Sequence, residues 1–522
     1  MKIFKEKVHL HPIMTFVIMI VVMMLFSVLL ALLRLDANYV KVNPNTKEFV
    51  NTLVTIESLL SVEGLKYIFS NTISNFVAFT PLSTLIISLI GIGIMEKSGF
   101  LKTIFTLLTR NVKKNTVTFY LVLICILSSI VGDLSYVILI PLSALLYLHG
   151  RRNPLAGITV AFASLTFGSS INILFTAKDS TILTLTLEGA HILDSNYTLG
   201  IWCMLFISAI SVIAMAFIIT NISERVTAPF FGKYELNDEP TEVDKSLANI
   251  VEEDKVIDTY EKRGLKFSII GSSIYLLFFL YNIVPGLPFS GRLLDDSQVL
   301  YIDKLFSYDS FFSNGFVFIV LVLFVIAGLL YGIGAKTIKN NRDVCDNLGH
   351  SLDGIGKTLV LILFASAFIG FFKYTNIGSV LVAKLANLID AINFSGLPLV
   401  ILFFIIGLIS TILVPVSATR WQILVGSVMP VMMNAGISPE FTQFVYKAAE
   451  ACTLSMTPLF AYFVIYLAFL QKYNQDKKPI GIFSSIKYQL PYILFTIIFF
   501  VIIIVIAYII GLPIGINGII KL

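Results

Sequence analysis

Residues 117–148 read VTFYLVLICILSSIVGDLSYVILIPLSALLYL, and the fold turns on how that run is parsed. The step Gly132-Asp133 divides it into apolar halves at 117–131 and 134–148. Fifteen helical residues reach only ~22 Å, against a bilayer hydrocarbon core of ~30 Å. Two halves too short to span, with a carboxylate at their junction, describe a re-entrant hairpin over 116–149. A second such stretch occupies 397–433, its halves at 397–414 and 421–433 flanking Pro415, Ser417, Thr419 and Arg420. The plainer parse of each is a pair of short transmembrane helices with a buried loop.

The surroundings fit a membrane reading. Of the 522 residues 57% are hydrophobic and 13% charged, against about 25% charged in soluble proteins. A mean hydropathy of +0.89 exceeds what a soluble interior can hide, and the aromatic content excludes disorder. Continuous apolar runs, in place of short alternating segments, exclude an outer-membrane barrel. Nine further runs read as full crossings: 13–33, 65–96, 154–187, 198–221, 265–284, 312–333, 354–373, 440–471 and 487–510. The first follows Lys2, Lys5 and Lys7, but it is too long for a signal-peptide core and no small-residue cleavage site follows. The expected fold class is therefore an all-α polytopic membrane protein with nine transmembrane helices and two re-entrant hairpins.

Loop charges orient this arrangement. With the N-terminus cytoplasmic, inner segments carry 23 Lys and Arg and outer segments carry 7, the bias that the positive-inside rule demands. The C-terminus then lies outside, and the protein sits in a plasma or inner membrane as a multi-pass chain. The domain reading is a first helix and outer loop (1–64), a first transport repeat (65–221, hairpin 116–149, interrupted helix 154–187), a cytoplasmic linker (222–264), two connecting helices (265–333) and a second repeat (354–510, hairpin 397–433, interrupted helix 440–471). Each hairpin is followed by a proline, Pro154 or Pro439, that opens a long helix with a polar interruption. Five crossings separate the hairpins, so they face opposite ways. Inverted repeats with broken helices are the architecture of secondary transporters, which bind substrate at mid-membrane.

A charge at a transmembrane helix centre costs ~2.5–3.5 kcal/mol on insertion scales, so such residues are paired or functional. The candidates are Asp133, Lys178, Asp179, Lys373, Arg420, Lys447 and Glu450. Half-helix ends left by a break attract an anionic substrate group or, through carbonyls, a Na⁺ ion. Ser169, Ser170, Asn172 and Asp179 suit an ion or polar-substrate site on the first broken helix, with Na⁺ expected near Asn172, Asp179 and Asp133. Asp179 has a structural alternative, an ion pair or interfacial position. Lys447 and Glu450, three apart on one face, have the alternative of an internal ion pair. Arg420 beside Trp421 suits a bidentate carboxylate clamp with an indole stacking face, or a guanidinium that snorkels to the interface. The cysteines (Cys125, Cys203, Cys345, Cys452) and five histidines are scattered, so zinc, haem and disulfides have no support and no cofactor is expected. No P-loop is present, which removes a transport ATPase.

The strings SNFVAFTPL (74–82), GIGIMEKSG (91–99), VGDLSYVILIPLSA (131–144), NPLAGITVAFA (153–163), TNIG (375–378) and ATRWQILVGSVMPVMM (418–433), with the initial HP (11–12), resemble the p-aminobenzoyl-glutamate transporter (AbgT) family in order along nearly the whole chain. The resemblance implies a homodimer with nine membrane helices and two hairpins per subunit. It also implies uptake of p-aminobenzoyl-glutamate or export of sulfonamides, driven by a Na⁺ or H⁺ gradient. Matched position by position, the chain keeps the family's Asp133, Asn172, Asp179 and Trp421. It departs where S-A-S-A becomes Val416-Ser417-Ala418-Thr419, and where Y-R-x-G-D-S-x-T-N becomes Tyr446-Lys447-Ala448-Ala449-Glu450-Ala451-Cys452-Thr453-Leu454. Moved hydroxyls and Leu454 in place of an amide bear on a second-repeat ion site. The expected substrate-binding set is Ser170, Asn172, Asp179, Ser417, Arg420, Trp421, Lys447, Glu450 and Thr453. The expected function is ion-driven transport of a small organic anion, with a carboxylate or amino-acid exchanger on the same scaffold as the alternative. A channel would need a continuous polar pore, and an enzyme would need a catalytic cluster that the sequence lacks. Lipid and the organic anion are the expected partners; nucleic acid is not.

Overall fold

The computed structural model describes residues 10–42, 49–234, 257–307, 309–350, 352–392, 394–476 and 478–522. Most of the cytoplasmic linker proposed from sequence, and the first basic residues, therefore lie outside the described residues. The helices, in chain order, are α1 (Pro12–Leu32), α2 (Val62–Val77), α3 (Thr80–Lys97), α4 (Phe100–Thr109), α5 (Lys114–Leu127), α6 (Leu134–His149), α7 (Pro154–Gly168), α8 (Ala177–Ala190) and α9 (Leu205–Ile222). They continue as α10 (Thr259–Ile283), α11 (Phe311–Ala335), α12 (Asn341–His350), α13 (Gly356–Tyr374), α14 (Ile377–Ile392), α15 (Gly396–Leu413), α16 (Ser417–Asn434), α17 (Pro439–Thr453), α18 (Ala461–Lys472) and α19 (Ile482–Ile510), with a few shorter turns.

Among the described residues, ten helical segments are long and apolar enough to cross a membrane. The count differs from nine for two physical reasons. The run at 154–187 is not one helix but α7 and α8, each too short to qualify. The first arms of both hairpins, Lys114–Val131 and Gly396–Leu413, meet the length on their own. The long run at 65–96 is α2 and α3, continuous but for a step at Ala78-Phe79.

Burial sorts the helices into layers. Every residue of α7 and α17 is buried, α7 because it is apolar all round and α17 although one of its faces is polar. Those two broken helices are the centre of the molecule, and α1, α10 and α19 turn broad apolar faces outward, with Leu25, Ile274 and Leu494 all largely exposed. Pro154 and Pro439 stand at the first helical positions, where a missing N–H is harmless. Asn153 and Ser438 cap the two starts, accepting from Leu155 N at 3.0 Å and Phe441 N at 3.2 Å.

At the first hairpin α5 passes through a short 3₁₀ turn into Gly132, whose φ of +60° and ψ of −143° reverse the chain into α6. The second hairpin needs a correction. Helix was expected to resume at 421, yet α16 starts at Ser417, so the non-helical step is only Val414–Val416 around Pro415. Arg420 therefore lies in the first turn of a helix and not in a tip. The all-α expectation also missed an antiparallel ribbon in the loop after α1, β1 (Asp36–Val42) with β2 (Phe49–Thr55), paired Asp36↔Thr55 through Val42↔Phe49. It lies across α14 and α16: Asn387 Nδ2 donates to Asn38 O at 3.2 Å, and Gly426 meets the Val40 backbone.

Close helix crossings at α7 depend on absent side chains. A Cβ at Gly168 would collide with the Ile126 backbone of α5, whereas one at Gly132 would meet nothing within 4 Å. Gly168→Ala should accordingly destabilise the folded protein by about 1–3 kcal/mol through overpacking, seen as a lowered midpoint in thermal unfolding in detergent. Unchanged unfolding in that variant would show that α5 yields freely at this crossing.

Candidate functional site

The two broken helices are held open by the same device. In the first, residues 169–176 leave the helix, and Asn172 Nδ2 donates to Ile126 O at 2.6 Å and to Ser129 Oγ, while its Oδ1 accepts from Leu174 N at 3.1 Å. Tyr136 OH adds bonds to Leu165 O at 3.2 Å and Ser169 Oγ at 3.1 Å. In the second, Thr453 Oγ1 donates to Leu408 O at 3.0 Å and Thr457 Oγ1 to Ile412 O at 2.8 Å. Side chains at each break thus tie it to the first arm of its own hairpin, adding bonds where the helical ladder stops.

Helix α8 restarts with a full capping box. Thr176 Oγ1 accepts from Asp179 N at 3.2 Å, and Asp179 Oδ2 accepts from Thr176 N at 3.0 Å and Thr176 Oγ1 at 2.7 Å. This places Lys178 and Asp179 at a fixed depth, pointing different ways. Asp179 Oδ1 pairs with Lys447 Nζ of α17. Lys178 Nζ pairs with Glu450 Oε1 and also donates to Ser169 O at 2.8 Å. Glu450 Oε2 pairs with Arg420 Nη2, and its carboxylate also receives Ser170 Oγ at 3.0 Å and Ser417 Oγ. Two neighbours on α8 therefore reach two residues a helical turn apart on α17.

These pairings take the place of the alternative, an internal Lys447–Glu450 pair, because each residue finds a partner on another helix. Snorkelling is excluded for Arg420, which is 0% exposed, donates from Nη1 to Val414 O at 2.8 Å and lies 4.8 Å from the Tyr446 ring centroid. Trp421 offers no open stacking face: its ring centroid is 4.4 Å from that of Tyr446 and 6.2 Å from that of Phe403, and its Nε1 donates to Thr186 Oγ1 at 3.0 Å.

Two cavities flank this cluster. One of about 180 Å³ is lined by Asp133, Ser169, Thr176 and Lys178 together with Phe306, Phe312 and Phe316. The other, about 30 Å³ and so water-sized, is lined by Asn172, Asp179, Gln443 and Lys447 with Phe175 and Trp202. Asp133 and Asp179 thus fall in different cavities, and both oxygens of Asp179 already have partners, so the three residues expected around Na⁺ do not form one cage. No group of three His, Cys, Asp or Glu positioned for a metal ion occurs among the described residues. Thr453 serves the break and lines neither cavity.

Gln443 was missed, and it was legible. Glu440, Gln443, Lys447 and Glu450 recur at spacings of three and four, one polar face on an otherwise apolar helix. Gln443 is 1% exposed and its Oε1 has no hydrogen-bond partner, while Glu440 accepts from Tyr197 OH at 2.8 Å. Lys178, a candidate intramembrane charge, has no partner that spacing could assign, since Glu450 lies 272 residues away.

Comparisons with known proteins agree in kind. The model of the AbgT putative transporter family matches residues 6–522. The p-aminobenzoyl-glutamate transport protein of Escherichia coli K12 is 25% identical over 505 residues, covering 97% of this chain and 93% of that protein. Among solved structures, the Alcanivorax borkumensis YdaH transporter is 27% identical at a TM-score of 0.48, covering 97% of this chain and all of that one. Neisseria gonorrhoeae MtrF, described within a class of antimetabolite efflux pumps, is 29% identical at a TM-score of 0.48, covering 98% of each chain.

The Asp179–Lys447 pair is testable by itself. Asp179→Asn keeps volume and an acceptor for the cap, yet it strands a buried ammonium, so stability should fall by about 3–5 kcal/mol. Replacing both partners, Asp179→Leu with Lys447→Met, should recover most of that loss in the same unfolding measurement. A double variant no more stable than Asp179→Asn would mean that the pair is not the relevant contact.

Proposed function

The chain belongs to the AbgT family of putative transporters, and from that premise we propose that it is a secondary transporter of a small organic anion, driven by a Na⁺ or H⁺ gradient. The observation that carries this reading is the crossed charge cluster. Three cations and two carboxylates from the two broken helices and the second hairpin meet at the centre of an apolar chain, beside a cavity with a carboxylate at one wall. Arg420 and Lys178 supply charge-assisted donors for a carboxylate, and the phenylalanines of the larger cavity supply an apolar wall for an organic body. The relative from E. coli supports p-aminobenzoyl-glutamate as the first compound to try.

In this reading the two helical hairpins are re-entrant, the repeats are inverted, two copies form the working unit, and the polar breaks lie at mid-membrane. The basic asymmetry of the loops supports a cytoplasmic N-terminus and linker and an external C-terminal tail. A carboxylate or amino-acid exchanger on the same scaffold is favoured by one observation. Phe403 and Tyr446 already pack against Trp421, so the indole reserves no face for an aryl ring.

Uptake into proteoliposomes under separately imposed Na⁺ and H⁺ gradients, with p-aminobenzoyl-glutamate, benzoate, dicarboxylates and amino acids, tests the reading. Accumulation of an organic anion under one gradient is expected, and no accumulation under either refutes the coupling. Arg420→Ala should weaken anion binding by about 1.5–3 kcal/mol, and Arg420→Lys should recover only part, because an ammonium lacks the planar fork. Equal affinities for wild type and both variants would remove Arg420 from the site. A reporter fused at residue 520 should give an external signal, and a cytoplasmic one would change the number of crossings.

A further inference from the structure

Glu450 sits in a finished carboxylate site. Its side chain is 1% exposed, and four donors converge on its two oxygens: Lys178 Nζ, Ser170 Oγ, Arg420 Nη2 and Ser417 Oγ. Two donors are cationic, and the four come from two separate parts of the fold, the first break with the start of α8 and the first turn of α16. An arrangement of this kind is what a protein builds to receive an organic acid. Here the acid is part of the chain.

The fit is incomplete on one side. Arg420 gives Glu450 only Nη2, sends Nη1 to the Val414 carbonyl, and leaves Nε buried without a partner. A guanidinium presents Nε and Nη2 as one parallel pair to a carboxylate. Glu450, approaching from α17, engages half of that pair. An unmet buried donor is costly, so the site has a standing preference for a carboxylate placed differently from the one it holds.

We propose that Glu450 is an internal stand-in ligand: it occupies the place of the transported anion's carboxylate, and an incoming carboxylate competes with it for Arg420 and Lys178. The inference rests on the transporter reading only for the identity of the competitor. Because Glu450 also joins α8 to α16, displacing it removes an ion pair between the two repeats, so binding and loosening of that contact are one event. A tethered competitor lowers apparent affinity to the intrinsic value times the fraction of sites it leaves vacant.

This gives an outcome opposite to that of an ordinary contact residue. In purified full-length protein, Glu450→Ala should bind benzoate about ten-fold or more tightly than wild type in calorimetry. It should also lose transport in proteoliposomes, because the exchange step has no internal partner. Benzoate or acetate at millimolar concentration should raise the unfolding temperature of Glu450→Ala and leave that of wild type nearly unchanged. Adding Lys178→Met should abolish the gain. Glu450→Gln, which keeps the volume but not the charge, should show the same carboxylate-dependent stabilisation and covers the case in which the alanine variant folds only with acetate present. If neither variant is stabilised by carboxylates, or if Glu450→Ala binds benzoate more weakly than wild type, the stand-in role is wrong. Wild-type protein that transports nothing under either gradient, while Glu450→Ala still gains benzoate affinity, would overturn the transporter reading and leave this one standing.

Discussion

An unpaired charge inside an apolar protein is intolerable, and the centre of this molecule is organised around that fact. Lys178 and Asp179 are consecutive, so the helix sends them apart, and each must find its opposite elsewhere. Lys447 and Glu450 are one turn apart on α17 and meet them. The result is a crossed linkage in which neither broken helix can pair its charges without the other. Arg420 joins as a fifth member because α16 begins at Ser417, early enough to aim the guanidinium at Glu450.

The same economy governs the backbone. Each break frees carbonyl and amide groups, and polar side chains near it bond to hairpin carbonyls: Asn172 toward α5, Thr453 and Thr457 toward α15. Two chemically different solutions serve one geometric need. That is why Leu454 in the second break is not a defect of the fold. The threonines beside it already make the connection that an amide makes in the first.

Much of this was legible before any coordinates. The chain reversal at Gly132-Asp133, the two prolines that open α7 and α17, and the concentration of charge in interrupted segments are local signals, and the fold honours each of them. The arm length differs, since helix continues back to Lys114 and the first arm is long enough to span. Pairing was not legible. Spacing along α17 suggested Lys447 with Glu450, and only the packing of α8 against α17 shows that both look outward to different partners. The burial of Trp421 likewise depends on Tyr446 and Phe403, which no local pattern assigns to it. The strands Asp36–Val42 and Phe49–Thr55 carry no strong alternation in sequence, and their pairing is supported by contact with α14 and α16. Gln443 is the converse case, a residue whose periodicity announced it and which went unread.

That ribbon sets the two hairpins apart mechanically. The second has a two-stranded brace laid over α16, with Val40 pressed against Gly426 and Asn38 bonded from α14. The first turns at a glycine with empty space around it. The two hairpins thus differ in how tightly their surroundings hold them. A load applied across the pair would fall unevenly, on the open glycine turn before the covered one.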